Sequence, residues 1–213
     1  MLIVGLTGGV ASGKTAVSKC LGKEGAYVID ADQIARELVR PSEPAWRELI
    51  KAFGNEILDQ DGAIHRKKLA AIVFSDPRKR NLLNQIIHPR IKEEIDRRKE
   101  GIGRKDPAAI IVIDGALLVE LGQHREMDKL IVVTSEESQQ IERLKQREGI
   151  SEEEARKVVS SQMPAAEKVK VADFVISNEG SLEETERVAR EVFQELKRIA
   201  LQKDERRKSS GSS

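Results

Sequence analysis

The sequence predicts a three-layer α/β/α fold built on a five-stranded parallel sheet, and three observations predict it. Five short aliphatic runs are continuous rather than alternating, as strands covered on both faces are. The first two lie within thirty residues, separated by a turn and a helix-length segment, which is the spacing of a right-handed crossover unit. The long stretches between the other runs are charged and carry apolar residues at helical intervals.

In chain order, Leu2-Ile3-Val4-Gly5-Leu6 is the first strand. A helix from Ala16 to Leu21 follows, closed by Gly22 and Gly25, and Ala26-Tyr27-Val28-Ile29 is the second strand. The next strand, Ala108–Ile113, lies too far on for a single crossover helix, so the sequence places an inserted helical subdomain at about 33–107. Leu49, Ile50 and Phe53 form one of its apolar stripes, and Leu82, Leu83, Ile86 and Ile87 another. Pro89 is expected to end that second helix and to sit in the first turn of a new one through Ile91 and Ile95. Leu130–Val133 and Phe174–Ile176 complete the sheet. Between them, about 134–170 reads as a charged helical lid, with Ser151 and Glu154 forming a capping box. The main domain is expected to span 1–204, leaving 205–213 as a flexible tail.

Composition narrows the function. The 213 residues carry 37 basic and 36 acidic side chains, a formal charge of +1, so no global field favours a nucleic acid. Aromatic residues are only 3%, too few to make stacking platforms for unpaired bases. No apolar run approaches the ~20 residues that span a bilayer, so no membrane association is expected. Cys20 is alone, which excludes a disulfide framework and points to a reducing, cytoplasmic setting.

Chemistry concentrates at Gly8-Gly9-Val10-Ala11-Ser12-Gly13-Lys14-Thr15, which fits G-x-x-x-x-G-K-[ST] and stands between a strand and a helix. In such a P-loop, glycines let main-chain N–H groups close around phosphates at a helix N-terminus. Lys14 would reach the β and γ oxygens, and the Thr15 hydroxyl would hold Mg²⁺. Asp30 and Asp32 close the second strand and, on an extended chain, fall on one side of it; Asp32 is the better placed to take a proton from an acceptor hydroxyl. Asp114 ends the third strand, where an acid that helps position Mg²⁺ is expected as readily as a turn residue. Arg143 and Arg147 share a helical face in the lid and are candidates to bind the migrating phosphoryl or the nucleotide. His88 and Arg90, in the inserted region, are candidates to meet an anionic substrate. His65 and His124 show no metal-ligand spacing, and Trp46 reads as a packing residue.

Taken together, Gly5-Leu6-Thr7-Gly8-Gly9 with Ser12-Gly13-Lys14-Thr15, Ile29-Asp30-Ala31-Asp32, Ile87-His88-Pro89, Leu117-Leu118 with Glu120, Arg143-Leu144 with Arg147, Gln162-Met163-Pro164 and Ala172-Asp173 with Asn178 make the chain resemble the dephospho-coenzyme A kinases. The resemblance covers nearly everything before the tail. It implies the P-loop kinase fold, ATP and Mg²⁺ as cofactors, and phosphorylation of the ribose 3′-hydroxyl of dephospho-CoA to give coenzyme A and ADP. By position, Ala11, Ser12, Gly13, Lys14, Thr15 and Ala16 would bind ATP phosphates, Arg143 and Arg147 would belong to the lid, and Asn178 would lie near the adenine. Asp32 would assist the acceptor hydroxyl, and the inserted helices with His88 would hold dephospho-CoA. A monomer is favoured. The chain departs from the family pattern at Ala116, where proline is usual, at Val119, where an aromatic is usual, and at Val158, where arginine is frequent. Two other readings use the same loop: a kinase for another small acceptor such as a nucleoside monophosphate, and a nucleotide-gated switch. The switch would leave Asp32 and the large insertion without an acceptor to bind.

Overall fold

The computed structural model describes residues 1–210. The chain divides into two compact units, Met1–Ile29 with Gly101–Ser213, and Asp30–Glu100.

The first unit holds the sheet. Strands β1 (Leu2–Gly8), β2 (Tyr27–Asp30), β3 (Ile110–Asp114), β4 (Lys129–Thr134) and β5 (Phe174–Ser177) lie in the order β2-β3-β1-β4-β5. β1 runs parallel to both β3 and β4, with Leu6 opposite Asp114 and Gly8 opposite Val133. The order reverses at β1, so the loop after it opens where a doubly wound sheet offers its crevice. The three central strands are buried throughout or nearly so, which is why their runs are continuous. The outer strands differ: Tyr27, Val28 and Val175 remain substantially exposed, as positions on sheet edges can be.

Helix α1 (Lys14–Lys23) and the long α9 (Leu182–Ser210) share one apolar cluster with one face of the sheet. Leu2, Val4 and Leu6 of β1 meet Val17 and Leu21 of α1 and Phe193 and Leu196 of α9 there. Each such side chain, fully buried, contributes about 1.5–3 kcal/mol. On the opposite face Gly5 lies against Met127, Leu130 and Leu118. Gly22, expected to end α1, lies inside it, and the break comes at Gly25, which has φ 108. α9 continues to Ser210, so 205–210 are helical rather than irregular; Lys, Arg and Glu are good helix formers. The expectation for 211–213 falls outside the described residues.

The segment expected as a lid forms α6 (Glu137–Glu148), α7 (Glu152–Ser160) and α8 (Ala165–Val169). Gly149, with φ 65, ends α6, and the capping box at Ser151 and Glu154 starts α7. For all its surface charge, the segment has an apolar seam: Ile141, Leu144 and Ala155 are buried, with Val10 and Ala11 packed against them.

The second unit is helical: α2 (Ala31–Leu38), α3 (Pro44–Phe53), α4 (Arg66–Ser75) and the first part of α5 (Pro77–Lys105). Leu49, Phe53, Ile57, Leu69, Ile86 and Ile87 form its core. Ile50 is only half-buried, and Leu82, expected in the second stripe, is 38% exposed. Trp46 packs and donates its indole N–H to Gly62 O at 2.9 Å. Pro89 does not break α5, which runs through it. The proline leaves the Gln85 carbonyl without its usual donor, and the Arg90 guanidinium donates to the adjacent Ile86 carbonyl at 2.6 Å. The second unit, Asp30–Glu100, ends inside α5, and the expected helical insertion ran over about 33–107.

Candidate active site

The loop between β1 and α1 is shaped by two residues with positive φ, Ala11 at 56° and Gly13 at 96°, which flank Ser12 and curl successive amides toward one side. Two glycines are required by close approach. A Cβ on Gly8 would stand 2.6 Å from Val133 O, and one on Gly13 would fall 2.8 Å from Asn178 Cγ and closer still to its amide nitrogen.

The loop is braced from distant parts of the chain. Asn178, just after β5, donates its side-chain amide to Ser12 O at 2.8 Å and accepts from the Thr185 hydroxyl at 2.9 Å. Gln162, between α7 and α8, accepts the Val10 N–H at 2.7 Å. Arg143 of α6 donates to Ala11 O at 3.2 Å and to Asn178 O at 3.0 Å. The brace holds the Ala11, Ser12 and Asn178 carbonyls and the Val10 amide, and leaves the first turn of α1 for a ligand. That turn has no side-chain cap and no acidic residue, and the Ser12 hydroxyl is buried with no hydrogen-bond partner among the described residues. An uncapped helix N-terminus beside an orphaned hydroxyl suits a polyanion.

At the mouth of this cradle the Lys14 ammonium bonds to the Asp114 carboxylate. Both side chains are largely buried, at 15% and 6% exposed. The pair supplies what phosphoryl transfer needs at one point: a cation for the transferring group and an acid able to hold a metal. Thr15, in the first turn of α1, is exposed. The residues fit Mg²⁺ by donor chemistry, since the Thr15 hydroxyl and the Asp114 carboxylate are hard oxygen ligands beside the phosphate cradle. Among the described residues no group of three or more His, Cys, Asp or Glu is arranged to hold a metal.

Other predicted residues are placed differently. Asp30 and Asp32 do not share one side of an extended strand, because the chain turns helical at Ala31: Asp30 caps α2 by accepting the Gln33 N–H at 2.8 Å, and Asp32 stands exposed in the first turn. Arg147 is not brought to the loop with Arg143; it is exposed and paired with Glu148 at 2.9 Å. Arg90 pairs with Glu48 at 2.7 Å. His88 is half-buried, and burial holds its imidazole below the ordinary histidine range. His65 caps α4 through Nδ1.

The residue pattern of the family described as dephospho-CoA kinase matches residues 2–184. The chain belongs to the dephospho-CoA kinase family. It is 44% identical to the dephospho-CoA kinase of Corynebacterium glutamicum, over 92% of this chain and the whole of that protein. It is 46% identical to that of Geobacillus kaustophilus, over 87% of this chain and 92% of the relative. Among solved structures, TT1252 from Thermus thermophilus superposes with a TM-score of 0.78 at 32% identity, covering 92% of this chain and 97% of the other. The dephospho-CoA kinase of Campylobacter jejuni gives 0.59 at 26%, covering 91% and 96%. A shikimate kinase from Acinetobacter baumannii, at 15% identity and 0.51, shares the P-loop kinase fold. The resemblance read from the motifs is therefore correct, as is the fold.

Sequence reasoning missed Gln162 as the partner of Val10 and Asn178 as the brace of Ser12. It also missed Lys168, a fully buried lysine in α8. The pattern gave no signal for it, because Lys168 stands between Glu167 and Lys170 and reads like them as solvated surface.

Proposed function

We propose that this chain transfers the γ-phosphoryl of ATP to the ribose 3′-hydroxyl of dephospho-CoA, giving coenzyme A and ADP, the last step of coenzyme A synthesis. The observation that carries the reading is the Lys14–Asp114 pair at the mouth of an uncapped phosphate cradle, in a chain of this family. Ala11 to Ala16 hold the triphosphate through main-chain amides, and Lys14 exchanges Asp114 for phosphate oxygens when nucleotide enters. Thr15 and Asp114 hold Mg²⁺, which when bound neutralises phosphate charge. Arg143, already seated on the loop, offers its cation to the migrating group.

The acceptor oxygen forms the new bond to γ-phosphorus as the bond to the β–γ bridging oxygen breaks. ADP leaves with that electron pair, and the hydroxyl proton passes to the Asp32 carboxylate. His88 and Arg90 of the helical unit take part in binding dephospho-CoA, while Arg147 and Asn178 serve the nucleotide side, Asn178 by holding Ser12. The same reading has the lid segment close over ATP to exclude water. It also has the enzyme act as a monomer in the cytoplasm, in keeping with the lone, buried Cys20; no described helix is long and apolar enough to cross a membrane. The test is a coupled ADP-release assay with a panel of acceptors. Dephospho-CoA should be turned over and nucleoside monophosphates should not; turnover confined to a monophosphate, or one that needs a macromolecular partner, overturns the reading.

A further inference from the structure

We infer that Lys168 is a positioning residue for phosphoryl transfer, fixing through the Ala116 carbonyl the strand end that presents Asp114 to Lys14. Its ammonium is completely buried; it donates to Ala116 O at 2.9 Å and pairs with Glu120 Oε1 at 2.7 Å. Ala116 lies two residues beyond Asp114. Its carbonyl also accepts the hydroxyl of Thr7, the buried residue that precedes the P-loop, at 3.0 Å. One carbonyl thus joins three pieces: the base of the phosphate loop, the segment after the strand-end acid, and α8. The Gly115 N–H, bonded to Leu6 O at 3.0 Å, locks the same crossing from the β1 side.

Burying an ammonium costs several kcal/mol unless it is paired, and a lysine used only to pin a helix would find cheaper company at the surface. Glu120 provides the charge, its Oε1 lying 2.7 Å from the ammonium, but neither of its buried carboxylate oxygens makes a hydrogen bond among the described residues. The pair is therefore poorly optimised for stability alone. Its geometry suits a different purpose: a short, charge-assisted bond that sets where a peptide unit stands. Phosphoryl transfer depends on such placement, since a ~1 Å error at a catalytic group can cost about 10²-fold in rate.

The inference rests on the kinase reading above, and three variants separate the two. Lys168→Met is expected to lower kcat by about 10²-fold while each KM changes less than about threefold, because the acid and lysine are misplaced but the binding surfaces remain. Glu120→Gln keeps the ammonium on Ala116, so it should lower the melting midpoint yet hold kcat within about threefold of the parent. The double variant removes the unpaired charge; it should regain much of the lost midpoint and keep the low kcat, and it stands in for the single lysine variant should that one fail to fold. Parental kcat in Lys168→Met, equal kcat losses in Lys168→Met and Glu120→Gln, or kcat returning with stability in the double variant would each show a purely structural ion pair. A parent inactive on dephospho-CoA would instead overturn the kinase reading.

Discussion

Replacing Gly13 by alanine tests the architecture of the phosphate cradle. Gly13 has φ 96, which costs a non-glycine residue ~1–2 kcal/mol. The added Cβ would also stand 2.8 Å from Asn178 Cγ, a separation real side chains do not tolerate. Asn178 is 7% exposed and uses its amide on Ser12 O and its oxygen on Thr185, so it cannot swing away without breaking a buried hydrogen bond, at a further ~1–3 kcal/mol. The sum is about 2–5 kcal/mol. With a urea m-value of ~2 kcal/mol/M, the unfolding midpoint should fall by about 1–2.5 M. Asn178→Ala removes the obstacle together with its bonds, so the double variant should lose less than the two single losses added together. A Gly13→Ala midpoint within about 0.3 M of the parent, or strictly additive losses, would refute the packing argument.

Three further outcomes are expected. Lys14→Met should slow turnover by about 10²–10³-fold, since the migrating charge loses a preorganised cation, and steady-state kinetics at saturating ATP would read it. Asp32→Asn should lower kcat by about 10²–10⁴-fold with little change in the KM for ATP; near-parental kcat would reassign the proton. Glu94 is held down to about 2 by its hydrogen bond from Arg97, with Arg98 adding to it. A carboxyl depressed in the folded state stabilises it above the unfolded value of 4.5, and that contribution is lost as pH falls toward 2. Melting midpoints measured across this window should depend less steeply on pH in Glu94→Gln.

The sheet and the phosphate loop were legible because their signals are local: continuous apolar runs, and a glycine pattern bounded by a strand and a helix. The Ser151 capping box was legible for the same reason. What escaped is long-range. Asn178 meets Ser12 across 166 positions and Gln162 meets Val10 across 152; both stood out as motif residues, but nothing local says which loop atom either one meets. Lys168 is hidden for a related reason: among Glu167 and Lys170, which pair with each other on the surface at 2.7 Å, only the fold distinguishes the buried lysine. Pro89 misled because a proline inside a helix is costly, and the long α5 continues regardless. At Asp30 and Asp32 the difference was one residue of register: helix begins at Ala31, so strand alternation ceases to apply where it mattered.

The central claim is that the cradle from Gly8 to Thr15, with Lys14 and Asp114 at its mouth, activates a nucleotide for transfer to dephospho-CoA. Mass spectrometry of the acceptor after incubation with ATP and Mg²⁺ tests it most directly. The account predicts a product heavier by one phosphoryl group, carried on the ribose 3′-oxygen, and its loss in Lys14→Met. Unchanged dephospho-CoA in the presence of an enzyme that still consumes ATP on another acceptor would contradict it.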